Sequence, residues 1–116
     1  QALVLLNDPI FVEASKALAE RTLDLKAQLV PQKISASFEN VTGRPINVEE
    51  LKVLTELYRS GLKKFSADPR AAAELLSIGD SRVSPASLKK YGASSLAAMT
   101  MVARAILNLH ETITRN

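Results

Sequence analysis

The chain has 116 residues, 47% of them apolar, which is enough for one domain with a modest core. Its formal charge of +3 comes from 15 basic and 12 acidic residues. So small an excess, spread along the sequence, argues against a nucleic-acid-binding protein. Cysteine is absent, which excludes a disulfide, a thiolate nucleophile and a Cys-x-x-Cys-His haem-attachment motif within the chain.

Two Asp-Pro pairs mark the starts of two predicted helices. Asp8 can cap free N–H groups and Pro9 suits the first helical position, so a first helix is predicted from here to about residue 29, and Pro31 either ends this helix or begins the next. Asp68 and Pro69 repeat the pattern before a short fourth helix over residues 70–77. The apolar stripe expected to face the core consists of Ile10, Phe11, Ala14, Ala17, Leu18, Leu25 and Leu29. The residues expected to face solvent are Glu13, Lys16, Glu20 and Arg21.

A glycine and a capping pair delimit the second and third predicted helices. The second helix is predicted over residues 32–42, and Gly43 ends it. Asn47 and Glu50 have the spacing of a capping box at the start of the third helix. Gly61 lies inside this helix, where glycine costs about 1 kcal/mol relative to alanine, so we predict a close helix crossing there.

The C-terminal part holds the longest predicted helix. After a loop at residues 79–85, a helical turn is predicted over 86–91, and Ser94 or Ser95 is predicted to cap a helix that reaches residue 115. Its apolar side recurs at steps of three and four residues: Leu96, Met99, Ala103, Ile106, His110 and Ile113. The sequence therefore predicts an all-α fold for a single helical domain over residues 1–116. We expect a compact bundle of about five mostly antiparallel helices, with the C-terminal helix as its spine.

Three stretches of the sequence resemble one known family. They are ALVLLNDPIFVEA at residues 2–14, TGRP at 42–45 followed by EEL at 49–51, and ARAILNLHETITR at 103–115. In this order and spacing they are similar to the C-terminal end of the planctomycete cytochrome-associated domain of unknown function. The resemblance covers nearly the whole chain. No catalytic residues can be assigned from this resemblance, because that family has no assigned reaction.

The resemblance implies that the chain is the C-terminal fragment of a larger bacterial protein. Proteins of this type carry a c-type cytochrome module nearer the N-terminus, so haem c is expected in that upstream module and no cofactor in this chain. Covalent haem attachment implies an exported parent, in the periplasm or at the cell surface. The family usually has an acidic residue at the position of His110. This chain therefore lacks that carboxylate and any function that depends on it.

Polar residues near the two ends of the chain are candidates for an interaction site or a polar network: Asn7, Asp8, Asn108, His110 and Glu111. Helix capping accounts for Asp8, whereas Asn7 has no such explanation. His110 is the only histidine, and its imidazole is a haem or metal ligand, a proton carrier, or a hydrogen-bonded side chain without chemistry. With one histidine and no cysteine, we predict no catalytic, cofactor-binding or metal-binding residue.

The sequence favours a structural or interaction module over an enzyme. We predict that the fragment performs no reaction and packs on the upstream part of its own polypeptide, with another protein or a second copy as further partners. The apolar residues 2–6, which we expect to be covered by another surface, motivate this hypothesis. An alternative is that His110 and Glu111 contribute to a redox or hydrolytic active site formed mainly by upstream domains.

Two other classes are not favoured. The basic residues around Lys63 could belong to a helix-turn-helix motif. The fourth helix would then have only Arg70 and Glu74 to contact bases, so nucleic-acid binding is not expected. No apolar run approaches the roughly 20 residues of a membrane-spanning helix, so no membrane span is predicted in this chain.

Overall fold

The structure, a computed structural model, describes the backbone of residues 8–115 and the side chains of residues 8–110. Six α-helices follow one another in this part of the chain: α1 Pro9–Leu23, α2 Val30–Thr42, α3 Val48–Ala67, α4 Pro69–Leu76, α5 Pro85–Tyr91 and α6 Ala93–Arg115. No strand occurs between residues 8 and 115, in agreement with the predicted all-α fold. The apolar residues 2–6, for which we expected a covering surface, lie outside the described residues.

The predicted number of about five helices is too low, because residues 85–91 form a helix and not only a helical turn. Ser84 caps its start, with its Oγ accepting a hydrogen bond from the backbone N–H of Ser87 at 3.1 Å, and Pro85 occupies the first position. Gly92, with φ of +85°, then redirects the chain, so that α6 begins at Ala93. The predicted caps of the last helix, residues 94 and 95, therefore lie within its first turn.

The long C-terminal helix α6 is the centre of the bundle, as predicted. It contacts each of the other five described helices, and most extensively α1 and α3. Its buried residues are Leu96, Ala97, Ala98, Met99, Thr100, Val102, Ala103 and Ile106. They occupy more than the single apolar stripe seen in the sequence, because neighbouring helices cover α6 on several sides.

Local capping interactions start α1, α3 and α4 at the predicted residues. Asp8 Oδ1 accepts a hydrogen bond from the N–H of the second residue of α1 at 2.8 Å. Asn47 and Glu50 form the capping box in both directions, at 2.8 and 3.1 Å. Asp68 Oδ1 accepts from the N–H of the third residue of α4 at 3.2 Å, and Gly43, with φ of +79°, ends α2. These contacts join residues close in sequence, which is why the sequence predicted them.

α3 crosses α6 at Gly61, and the predicted close helix crossing is confirmed. Gly61 is buried, and a Cβ atom built on it would lie 3.2 Å from the Cβ and 3.3 Å from the Cα of Ala98. One turn to either side, α3 buries Tyr58 and Phe65 in the same core. The missing side chain at position 61 thus lets the two helix backbones approach closely.

The side of α1 that faces the core overlaps only partly with the predicted one: Leu18 is buried as expected, and other members of the predicted stripe are not. Ala14 and Ala17 are exposed, and Ile10 is 75% exposed. The buried residues of α1 are Val12, Ser15, Lys16, Leu18, Ala19, Thr22 and Leu23. The prediction was wrong because it treated polar residues as solvent-facing. Here Lys16 and Thr22 find partners inside the fold, and the hydroxyl of Thr22 lies 2.9 Å from that of Ser37 in α2.

α1 also ends at Leu23 and does not continue to about residue 29. The ammonium of Lys33, from α2, donates a hydrogen bond to the carbonyl oxygen of Leu23 at 2.6 Å. A cation at this position satisfies an end carbonyl and interacts favourably with the negative end of the helix dipole. Leu25 and Leu29 therefore belong to the connection between α1 and α2, where Leu29 is 60% exposed.

Candidate functional site

An open apolar cleft lies between α2, α3 and the C-terminal part of α6. Its volume is about 400 Å³, within the range of about 300–1,000 Å³ typical of ligand clefts. Its lining residues are Phe38 from α2, Glu49, Glu50, Val53 and Leu54 from α3, and Ala105, Ile106, Asn108 and Leu109 from α6. Six of these nine side chains are apolar, so the cleft is suited to an apolar group.

The inner wall and the outer edge of the cleft differ in how far their side chains are exposed to solvent. Phe38 and Ile106 are buried, so they give the cleft a wall that belongs to the core. Val53, on the outer side of α3, is 65% exposed although it lines the same cleft. The cleft is therefore open to solvent at Val53.

Two neighbouring carboxylates of α3 line the cleft, and only one has a described cationic partner. The guanidinium of Arg44 donates to both oxygens of Glu50, at 2.7 and 3.0 Å, and its carbon lies 4.8 Å from the centre of the Phe38 ring. These hydrogen bonds, with a further one from the N–H of Asn47, lower the pKa of Glu50 to about 2. The described ion pairs do not include Glu49, which is exposed. The cleft thus has one carboxylate, in the first turn of α3, that forms none of the described ion pairs.

Replacing Glu50 with glutamine is expected to remove a pH-dependent part of the stability. In the folded chain the pKa of Glu50 is lowered from 4.5 to about 2, so unfolding takes up a proton in this pH range. The contribution of the carboxylate is present above pH 4.5 and is lost as the pH falls towards 2. Urea denaturation at pH 7 should show E50Q less stable than the wild-type chain, and the two should converge near pH 2.

Glutamine is a suitable replacement because it can still occupy this position of a capping box. The substitution therefore removes the negative charge of residue 50 and keeps its capping hydrogen bond. An equal difference in stability between E50Q and wild type at pH 7 and at pH 2 would contradict this account.

The polar residues predicted as an interaction site or network do not all lie at the cleft. Asn108 lines the cleft, whereas Asp8 caps α1 and is explained by that role. His110 is half-buried in α6 and is not among the residues that line the cleft. Asn7 and the side chain of Glu111 lie outside the described residues. A polar network that unites all five stays a prediction, whereas the cleft itself was not anticipated.

A polar cluster away from the cleft lies on α1, at residues that were predicted to face solvent. Lys16 is only 2% exposed, and Glu13 and Glu20 lie on the same side of the helix. Hydrogen bonds from the backbone and side chain of Ser81 lower the pKa of Glu13. Burial lowers the pKa of Lys16, and the nearby charge of Arg82 acts in the same direction. The spacing of three charged residues at i, i+3 and i+7 is the signal that could have revealed this cluster.

Among the described residues, no group of three or more His, Asp or Glu side chains is arranged to hold a metal ion. Within this region, no single helix combines the length and the apolarity needed to cross a membrane. α5 and α6 reach that length and apolarity only when taken together, and they are bent by 102° at their junction.

These features define a small all-α domain with an open apolar cleft beside its central helix. A family model described as a protein of unknown function (DUF1553) matches residues 1–58, which is half of the chain, and the chain belongs to this family. The matched region contains α1, α2, the first half of α3 and thus the α2 and α3 walls of the cleft. No curated protein and no solved structure matches the chain. The resemblance to a domain of unknown function is confirmed, and the link to a cytochrome stays a prediction.

Proposed function

We propose that this chain is a non-catalytic helical interaction module, and that the cleft between α2, α3 and α6 binds the upstream part of the polypeptide to which it belongs. In this proposal the parent is an exported bacterial protein of the periplasm or cell surface. Its haem c belongs to the upstream module, and this chain contributes packing surface. The resemblance described above supports this context.

The observation that carries the proposal is the exposure of Val53 in a cleft that buried core residues also line. The cleft is walled by residues such as Phe38 and Leu54, which also belong to the hydrophobic core. Contact with water at an apolar surface costs roughly 25 cal/mol per Å² relative to burial. A partner segment that fills the cleft would cover Val53 and extend the core beyond this chain.

The charge of the cleft indicates which kind of segment would fit. Glu50 is already neutralised by Arg44, whereas Glu49 has no ion-pair partner among the described side chains. An apolar segment that also carries one lysine or arginine would fill the cleft and compensate Glu49. Such complementarity contributes to specificity and orientation more than to affinity.

The proposal is tested by titrating the purified chain with the separately expressed upstream part of the parent polypeptide, using calorimetry. Val53→Asp is expected to weaken binding by about tenfold or more, because a carboxylate would replace an apolar contact inside the interface, and the one cation of the occupant cannot compensate both Asp at position 53 and Glu49. Glu49→Lys is expected to weaken binding as well, since it would repel the cation of the occupant.

Val48→Asp is a matched control, because Val48 lies on the same helix, is 80% exposed and does not line the cleft. Its binding should stay within about twofold of the wild type. The proposal would be overturned by wild-type affinity of V53D, or by equal losses in V48D and V53D. Self-association of the wild-type chain that V53D abolishes would also overturn it, in favour of a second copy as the occupant.

A further inference from the structure

Three backbone carbonyl groups at the end of α4 and in the following loop converge on the side chain of Lys16. Its ammonium donates to the oxygens of Leu76 at 3.1 Å, Ile78 at 2.6 Å and Ser81 at 2.7 Å. A lysine ammonium has three N–H donors and no acceptor, so this arrangement uses its full capacity. With only 2% of Lys16 exposed, the side chain is enclosed by the fold.

Other contacts hold the loop in this shape without involving Lys16. The backbone N–H of Ser81 donates to Glu13 at 2.5 Å, and the hydroxyl of Ser84 lies 3.2 Å from Glu20 Oε2. Arg82 donates to the carbonyl of Gly79 at 2.9 Å. These bonds anchor the loop between residues 79 and 84.

Gly79 makes the close approach of the loop to α1 possible. It has φ of +85°, a conformation that residues with a side chain rarely adopt. A Cβ atom built on it would lie 2.4 Å from the Cγ of Glu13. The positive φ of Gly79 and the contacts of Glu13 thus help to fix the path of the loop in addition to the bonds of Lys16.

We propose that these three carbonyls form a binding site for a primary ammonium group, that Lys16 is its resident ligand, and that the site binds a free alkylammonium ion when the lysine side chain is removed. A primary ammonium presents three N–H donors that match the three acceptors. A quaternary ammonium has the same charge but no donor, so it should not bind. The negative charges of Glu13 and Glu20 favour a cation here, and the positive charge of Arg82 opposes it. This site is independent of the apolar cleft.

The test is chemical rescue of Lys16→Ala by n-propylammonium. The substitution deletes three carbon atoms and the ammonium nitrogen, and n-propylammonium supplies the same set. The Tm of K16A is expected to rise with the logarithm of the ion concentration above the Kd, by about 4–8 °C at roughly ten times the Kd. The backbone amide signals of residues 77–82 should shift at the same concentrations in NMR spectra.

Two controls separate this site from general effects of salt. Tetramethylammonium at equal ionic strength should leave the Tm of K16A unchanged, and Lys16→Met, which fills the site with an uncharged side chain, should not respond to n-propylammonium. Equal responses of K16A to both ions would overturn the proposal. If K16A is unfolded alone, recovery of its helical circular dichroism with n-propylammonium supports the site, and no recovery overturns it.

Discussion

Replacing Phe38 with alanine is expected to lower the free energy of unfolding by about 3–5 kcal/mol, the range for a fully buried phenylalanine. Phe38 has no exposed surface, and its ring joins the core to the wall of the cleft. The guanidinium of Arg44 stacks over the ring at 4.8 Å, and this contact adds about 0.5–1 kcal/mol at such a position. Urea denaturation followed by circular dichroism measures the change.

Phe38→Leu is the appropriate comparison, because it keeps an apolar side chain while removing the aromatic face under Arg44. We expect F38L to lose clearly less stability than F38A, since the cavity left behind is smaller. A loss below about 1 kcal/mol in F38A would show that the ring is not part of the core. In that case the cleft would have no rigid wall.

Replacing Gly61 with alanine is expected to lower the free energy of unfolding by up to about 2 kcal/mol, because overpacking costs about 1–3 kcal/mol and the higher helix propensity of alanine offsets about 1 kcal/mol of this cost. Alanine is about 1 kcal/mol better than glycine in a helix interior, so on an exposed surface the same change would stabilise the chain. Here the new Cβ would meet the backbone of α6, 3.3 Å from the Cα of Ala98. A backbone atom of a central helix cannot move away as the end of a flexible side chain can.

A double-mutant cycle with Ala98→Gly separates the contact from helix propensity. If the contact dominates, G61A should cost less in the A98G background than in the wild-type chain, because one of the two close atoms is gone. Ser60→Ala, at an exposed neighbouring position of α3, should change stability by less than about 0.5 kcal/mol. Stabilisation of the chain by G61A alone would contradict the close crossing.

The features that the sequence predicted well depend on residues close together in the chain. Asp8, Asn47 and Asp68 cap helices through bonds that span two or three residues, and each cap lies where the pattern placed it. The role of Gly61 was also visible, since an unfavourable residue inside a long helix needs a packing reason. The number of helices was underestimated at Ser84, whose capping role had not been recognised.

The features that the sequence did not predict depend on partners far away in the chain. Lys16 looked solvent-facing because its polarity was judged on α1 alone, whereas its three acceptors are backbone groups that no side-chain pattern reveals. Ala14 and Ala17 were assigned to the core by the same reasoning and are exposed. The cleft escaped prediction because three helices form it, and only their packing brings Phe38 close to Asn108.

The bond between α1 and the loop after α4 has a consequence for the order in which the chain folds during synthesis. The acceptors of Lys16 follow it by 60, 62 and 65 residues. At about 5–20 residues per second, a ribosome needs roughly 3–12 s to make this intervening stretch. Throughout that interval the ammonium of Lys16 has no site to enter, so burying α1 would desolvate an unpaired charge. Among the six described helices, α1 is translated first, and its docking must wait for the loop near residue 81.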